Sequence, residues 1–164
     1  MSSPSHAPLA RCSSPSTASR SPPATLASLA EFVCALAPVL GALADRSIFL
    51  AGDLNVSTQL DRDRGHADER ALRSIEKLGF ENVLTRTRLG RPLLPACRCG
   101  HGDACEHVQT HRFRRRPEPA FHIDYFFANA AAREHLGACE LFDREAAWDL
   151  SDHCPFVVEW DARC

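Results

Sequence analysis

Ser47-Ile48-Phe49-Leu50-Ala51-Gly52-Asp53-Leu54-Asn55 is the stretch on which the fold turns. Residues 47–51 form a short apolar run suited to a buried strand, and the run breaks at Gly52-Asp53. Glycine there permits a sharp backbone turn. The period-2 alternation of a strand exit points Asp53 and Asn55 to the same side. A carboxylate and an amide so placed suit a pair that orients a water and a phosphate oxygen, although such a turn also serves as an ordinary strand exit.

Upstream, Leu26, Leu29, Val33, Leu36, Leu40 and Leu43 recur by threes and fours, which predicts an amphipathic helix limited or kinked at Pro38. Glu31 and Pro38 argue against a membrane span and against a signal peptide ending near Ala44. Residues 1–25 are Ser-, Pro- and Ala-rich and are expected to be disordered. Downstream, 56–66 reads as a loop and 68–78 as a helix stopped at Gly79. Then come a short strand from Phe80 to Leu84 and a long loop over 85–120. A strand follows from Phe121 to Ala128, then a short helix over 130–136 and strands at 138–142 and 155–160. Strands and helices intermingle, so the class is α/β (α+β).

The 164 residues are 45% apolar and 24% charged, which places the chain among globular domains and excludes disorder throughout. A net charge of −2 excludes binding of nucleic acid by bulk positive charge, but not phosphoester chemistry, in which charge is local or supplied by a metal. Cys34, Cys139 and Cys154 fall in apolar or motif-bearing segments, as buried thiols do, so a reducing compartment, the cytoplasm, is expected.

Two further motifs sit at strand ends. In His122-Ile123-Asp124-Tyr125-Phe126-Phe127 an acid lies inside an apolar strand, where an unpaired carboxylate is costly, so Asp124 needs a His or Arg partner. Ser151-Asp152-His153-Cys154-Pro155 presents an acid and an imidazole at the entry to the last strand. His153 is the natural partner for Asp124 and Asp152 a natural metal ligand, although a Ser-Asp pair also makes a simple cap.

Gly52-Asp53-Leu54-Asn55, Ile123-Asp124-Tyr125 and Ser151-Asp152-His153, in that order, resemble the C-terminal half of the endonuclease/exonuclease/phosphatase (DNase I-like) superfamily over about residues 26–160. The resemblance implies half of a four-layered αββα sandwich, with a mostly antiparallel or mixed sheet and flanking helices, and a metal-dependent phosphoester hydrolase. Asp53 would orient or deprotonate water, and Asn55 would hold a phosphate oxygen. Asp152 would help bind Mg²⁺ or Mn²⁺, and His153, held by Asp124, would contact the phosphate. Tyr125 would be core. Thr110, His111 and His122 are assigned to the substrate side, the substrate being nucleic acid or a small phosphodiester or phosphomonoester.

The resemblance also implies an N-terminal half that supplies an Asn and a metal-binding Glu. Here the first acidic residue is Glu31, within the predicted helix. The expectation is therefore a half-domain over 26–164 that is weak or inactive alone and exposes an apolar sheet face to a complementary half or a homodimer. The alternative is a non-catalytic remnant or partner-binding module.

The loop at about 95–112 concentrates Cys97, Cys99, His101, Cys105, His107 and His111. A structural Zn²⁺ site from Cys97, Cys99, Cys105 and either His101 or His107 is feasible. Cys-x-Cys is not the usual knuckle spacing, however, and unligated thiols or a disulfide are the plainer readings.

Overall fold

The computed structural model describes residues 24–63, 65–86, 94, 97, 99 and 105–161. The expected disorder of 1–25 falls almost wholly outside them, as does His101.

The centre is a three-stranded antiparallel sheet in the order β1 (Phe49–Asp53), β5 (Asp124–Asn129), β2 (Phe80–Asn82). The β1–β5 register runs from Phe49 opposite Ala128 to Asp53 opposite Asp124, and Phe80 stands opposite Asn129. As the middle strand, β5 is covered on both faces. Tyr125 and Phe127 join Leu29, Val33 and Leu40 of α1 (Ala24–Ala42) with Ile75 of α2 (Ala67–Glu76) in one core. On the other face Phe126 and Ala128 pack with Cys139, Val158 and Leu136 of a separate two-stranded ribbon, β6 (Leu136–Leu141) and β7 (Phe156–Trp160). Fully burying a side chain such as Phe127 contributes about 2–3 kcal/mol.

The helix expected over residues 26–43 runs through Pro38 to Ala42. Its Leu29, Val33 and Leu40 are buried while Leu43 is exposed. Cys34, expected inside, lies on the exposed side of the same helix because it follows Val33 by one position, off the apolar stripe. Cys139 and Cys154 are buried as expected.

Polar side chains fasten the sheet to its helices. Asp61, within the 3-10 turn Thr58–Asp63, is a buried acceptor for the amides of Asp68 (3.1 Å) and Glu69 (2.6 Å) at the start of α2. Asp68 accepts in turn from the Ser57 amide at 2.8 Å. A carboxylate at a helix N-terminus meets otherwise unpaired amides and the positive end of the helix dipole, so neither burial is uncompensated. Asn129 caps α4 (Ala130–Arg133) by accepting from the Ala132 amide at 3.0 Å, and it also accepts from Ile48 N at 3.0 Å.

Several boundaries differ from the sequence expectation. The strand predicted over 80–84 stops at Asn82, whose side chain accepts from Leu84 N at 3.2 Å and turns the chain into α3 (Val83–Arg86). The strand predicted over 121–128 is split. Phe121 belongs to β4 (Ala120–Phe121), paired with β3 (His111–Arg112), and β5 begins at Asp124. The predicted loops at 56–66 and 85–120 thus contain the 3-10 turn and this small ribbon. Helix α5 (Glu145–Leu150) was not expected, because only Ala147 and Trp148 of its six residues are buried and a single apolar pair carries no periodicity. Among the described residues no helix is long and apolar enough to cross a membrane.

Candidate functional site

Antiparallel register places Asp53 directly across from Asp124, and residues opposite one another share a face. Alternation along β5 sets that face as the one carrying Phe126 and Ala128, covered by the β6–β7 ribbon. The segment 151–154 enters β7 on this side. His153 Nδ1 lies 3.0 Å from both Asp124 carboxylate oxygens. The backbone of 110–112 closes the corner: the Arg112 amide donates to Asp152 O and the Cys154 amide to Thr110 O, each at 2.8 Å. His111 thereby comes within 4.6 Å of the His153 ring, and its Nε2 is 3.7 Å from an Asp152 carboxylate oxygen.

Burial pushes the Asp124 carboxyl above its ordinary value, Asp53 adds to that effect, and the hydrogen bonds from Thr110 and His153 work against it. Asp124 is buried, and His153 Nδ1 reaches both of its carboxyl oxygens. With the His153 Nδ1 proton committed to it, Nε2 is the nitrogen left to meet a ligand, and the ring orientation is fixed.

Asp53 and Asn55 are both exposed and bonded to each other. Asp53 Oδ1 accepts from the Asn55 amide at 2.7 Å and Oδ2 from Asn55 Nδ2 at 3.0 Å. Gly52 at φ 138° and Asn55 at φ 53° supply the left-handed backbone this turn needs, a region glycine and asparagine tolerate best. The plain strand-exit role and the site role coexist: one Nδ2 proton is spent on the turn and one remains for a ligand.

Two assignments require correction. His122, expected on the substrate side, is only 2% exposed, stacks on Tyr125 at 4.6 Å and accepts from Val108 N at 3.4 Å. Its position one step before Ile123 turns it to the inner face, and burial pushes its imidazole down to about 3. Thr110, also expected to face substrate, is fully buried, and its Oγ1 accepts from the amides of Ile123 and Asp124 at 3.0 Å each. It positions the first residue of β5 instead. Ser151 accepts from the His153 amide at 3.0 Å, so the cap reading of that motif also holds.

Sequence reasoning missed Arg112. Its guanidinium lies 4.2 Å from the Trp148 ring and 3.2 Å from Glu145, while its backbone amide donates to Asp152 O. A lone Arg at the head of an Arg-rich run carries no signal separating it from the exposed Arg114, Arg115 and Arg116.

His111, Asp152 and His153 can offer ligand atoms that all lie within 4.8 Å of one another. One half-exposed carboxylate suits Mg²⁺, which keeps most of its waters, and Mn²⁺ accepts the neighbouring imidazoles as well. Cys97, Cys99, Cys105 and His107 gather in a second, separate cluster.

No protein-family model and no curated protein matches the sequence. Among solved structures the chain is similar to an AP endonuclease from Archaeoglobus fulgidus, with a TM-score of 0.60 and 20% identity over 84% of this chain. The match covers 53% of that chain, so the protein spans about half the length of the structure it resembles. The chain thus has the DNase I-like mixed α/β fold, with antiparallel sheets, over a half-domain.

Proposed function

We propose that the protein is a divalent-metal-dependent phosphoester hydrolase whose reaction centre is the rim formed by Asp53, Asn55, Asp124, Asp152 and His153, with His111 beside it. The observation that carries this reading is the Asp124–His153 pair at 3.0 Å, standing directly across the β1–β5 register from Asp53. In this reading the Asp53 carboxylate orients the attacking water, and Asn55 donates its remaining amide proton to a phosphate oxygen. His153 Nε2 stabilises charge developing on the phosphoryl group, its ring aimed by Asp124. Asp152, with water and the phosphate itself, would hold Mg²⁺ or Mn²⁺, which supplies Lewis-acid polarisation of the phosphoryl oxygen.

The fold shared with an AP endonuclease favours nucleic acid over a small phosphoester as substrate. The test is hydrolysis of a bis-aryl phosphodiester and of an oligonucleotide carrying an abasic site, with Mg²⁺ or Mn²⁺, by the wild-type chain and by Asp53→Ala and His153→Ala. Weak metal-dependent turnover by the isolated chain, lost in both variants, is expected; turnover indifferent to both overturns the assignment.

A second reading, a partner-complementing module, is favoured by large apolar side chains left at the surface around β7. Leu150 is 84% exposed, Val157 48% and Trp160 43%. A chain without turnover that forms a stable dimer would favour that reading over the first.

A further inference from the structure

Cys97, Cys99, Cys105 and His107 lie outside the hydrolytic rim, and the reaction proposed above uses none of them. Each can offer one ligand atom to a set whose members all lie within 4.8 Å of one another. His107 Nδ1 is 3.4 Å from Cys97 Sγ and 3.4 Å from Cys105 Sγ. A tetrahedral zinc with Zn–S near 2.3 Å and Zn–N near 2.0–2.1 Å has N···S edges of about 3.5 Å. The two edges seen here match that figure, and both sulfurs converge on the same imidazole nitrogen, as ligands of one ion do. Three thiols and an imidazole are a soft donor set, suited to zinc and poorly suited to magnesium or calcium.

The surroundings are those of a supported metal site. The second His107 nitrogen, Nε2, is 2.6 Å from Thr58 Oγ1, so the ring has an outer partner that fixes which nitrogen faces the sulfurs. Gln59 Nε2 donates to Cys97 Sγ at 3.7 Å. The same Gln59 accepts from the His122 amide at 2.7 Å and donates to Ala120 O at 3.3 Å. Cys105 and His107 are buried, and four protein ligands leave no open position, which is the character of a structural site.

We propose that these four side chains form a structural Cys₃His zinc site. It pins the chain before Thr110 and His111 against the turn at Thr58–Asp63. The spacing Cys-x-Cys-x₅-Cys-x-His departs from the usual paired knuckles.

The test is the metal content of the untagged full chain, purified without chelator from zinc-supplemented cells. About one zinc per chain is expected. Cys97→Ser and Cys105→Ser should each lose it, and Cys34→Ser should keep it. Because loss of zinc also loosens the loop, His107→Cys serves as a second variant: it replaces one soft ligand by another and should retain zinc. Substitution with Co²⁺ should give the intense visible bands of a tetrahedral ion together with a near-ultraviolet thiolate-to-cobalt band, altered in His107→Cys. Wild-type chain without stoichiometric zinc, unchanged zinc in Cys97→Ser and Cys105→Ser, or a cobalt spectrum lacking the thiolate band would each overturn the site. These readouts do not involve turnover, so their failure would leave the hydrolytic reading standing, and the reverse.

Discussion

Asp124 and His153 are 29 residues apart in the chain and meet with the imidazole Nδ1 3.0 Å from each carboxylate oxygen. The pair joins the central sheet to the ribbon that covers it. Its geometry comes from three backbone segments, since Thr110 holds the Asp124 amide and the 110–112 segment bonds to both sides of His153. A carboxylate buried in this way is worth keeping only with its partner in place.

Asp124→Asn keeps the size of the side chain but no longer fixes the tautomer and orientation of the His153 ring. If the rim is the reaction centre, kcat should fall on the order of 10²-fold or more with little change in KM. The neutral amide removes a buried charge, so urea denaturation should find stability changed far less than activity. Equal losses in both would assign the pair a structural role alone.

Thr110→Val preserves shape and removes the oxygen that accepts from the Ile123 and Asp124 amides. The Asp124 amide, buried, and the Ile123 amide, partly buried, lose this acceptor, at a cost of about 1–3 kcal/mol for the buried one and less for the other. Thr110→Ser should restore most of the loss. Chemical denaturation of the three proteins measures it.

His122 gives the folded chain a pH dependence. Burial foremost, with His107 nearby, lowers its imidazole from 6.5 to about 3, so between those values the unfolded chain binds a proton that the folded chain does not. Its contribution to stability is complete above pH 6.5 and is lost as pH falls towards 3, with a limiting slope of about 1.4 kcal/mol per pH unit. His122→Phe keeps a ring against Tyr125 and cannot titrate. Subtracting its stability from that of the wild type at pH 5 and pH 7 should expose the slope, and a flat difference would contradict it.

Asn129→Ala removes the cap of α4 together with the bond to Ile48 N and the donation to Arg46 O at 2.8 Å. Loss of about 1–3 kcal/mol is expected, more than an exposed cap alone contributes, because the bond to Ile48 ties the entry of β1 to the end of β5. The urea midpoint should fall with an unchanged slope on denaturant.

Much of the fold is written locally. The apolar stripe of α1, the run into Gly52-Asp53, the Gly79 stop after α2 and the alternation of β5 each depend on residues a few positions apart, where helical and strand periods act directly. The site was legible in part for the same reason: an acid inside an apolar strand announces its need for a partner, and Asp124 has one. His122 was misplaced because it falls in the gap between β4 and β5, and Thr110 because it is buried by accepting from the Ile123 and Asp124 amides, contacts no local pattern encodes. Arg112 and α5 were invisible because a single packed pair, such as Arg112 on Trp148, has no period.

The sequence by itself determined which segments would be buried and which residue types could do chemistry, because side-chain period and polarity act within a few residues. Only the tertiary structure decided which of those residues meet. Asp53 faces Asp124 through strand register, His153 reaches Asp124 through the placement of the β6–β7 ribbon, and Cys97 reaches His107 through the folding of a loop onto Thr58 and Gln59. Each of these is a long-range contact whose partner is selected by the packing of the whole core, which no stretch of chain carries alone.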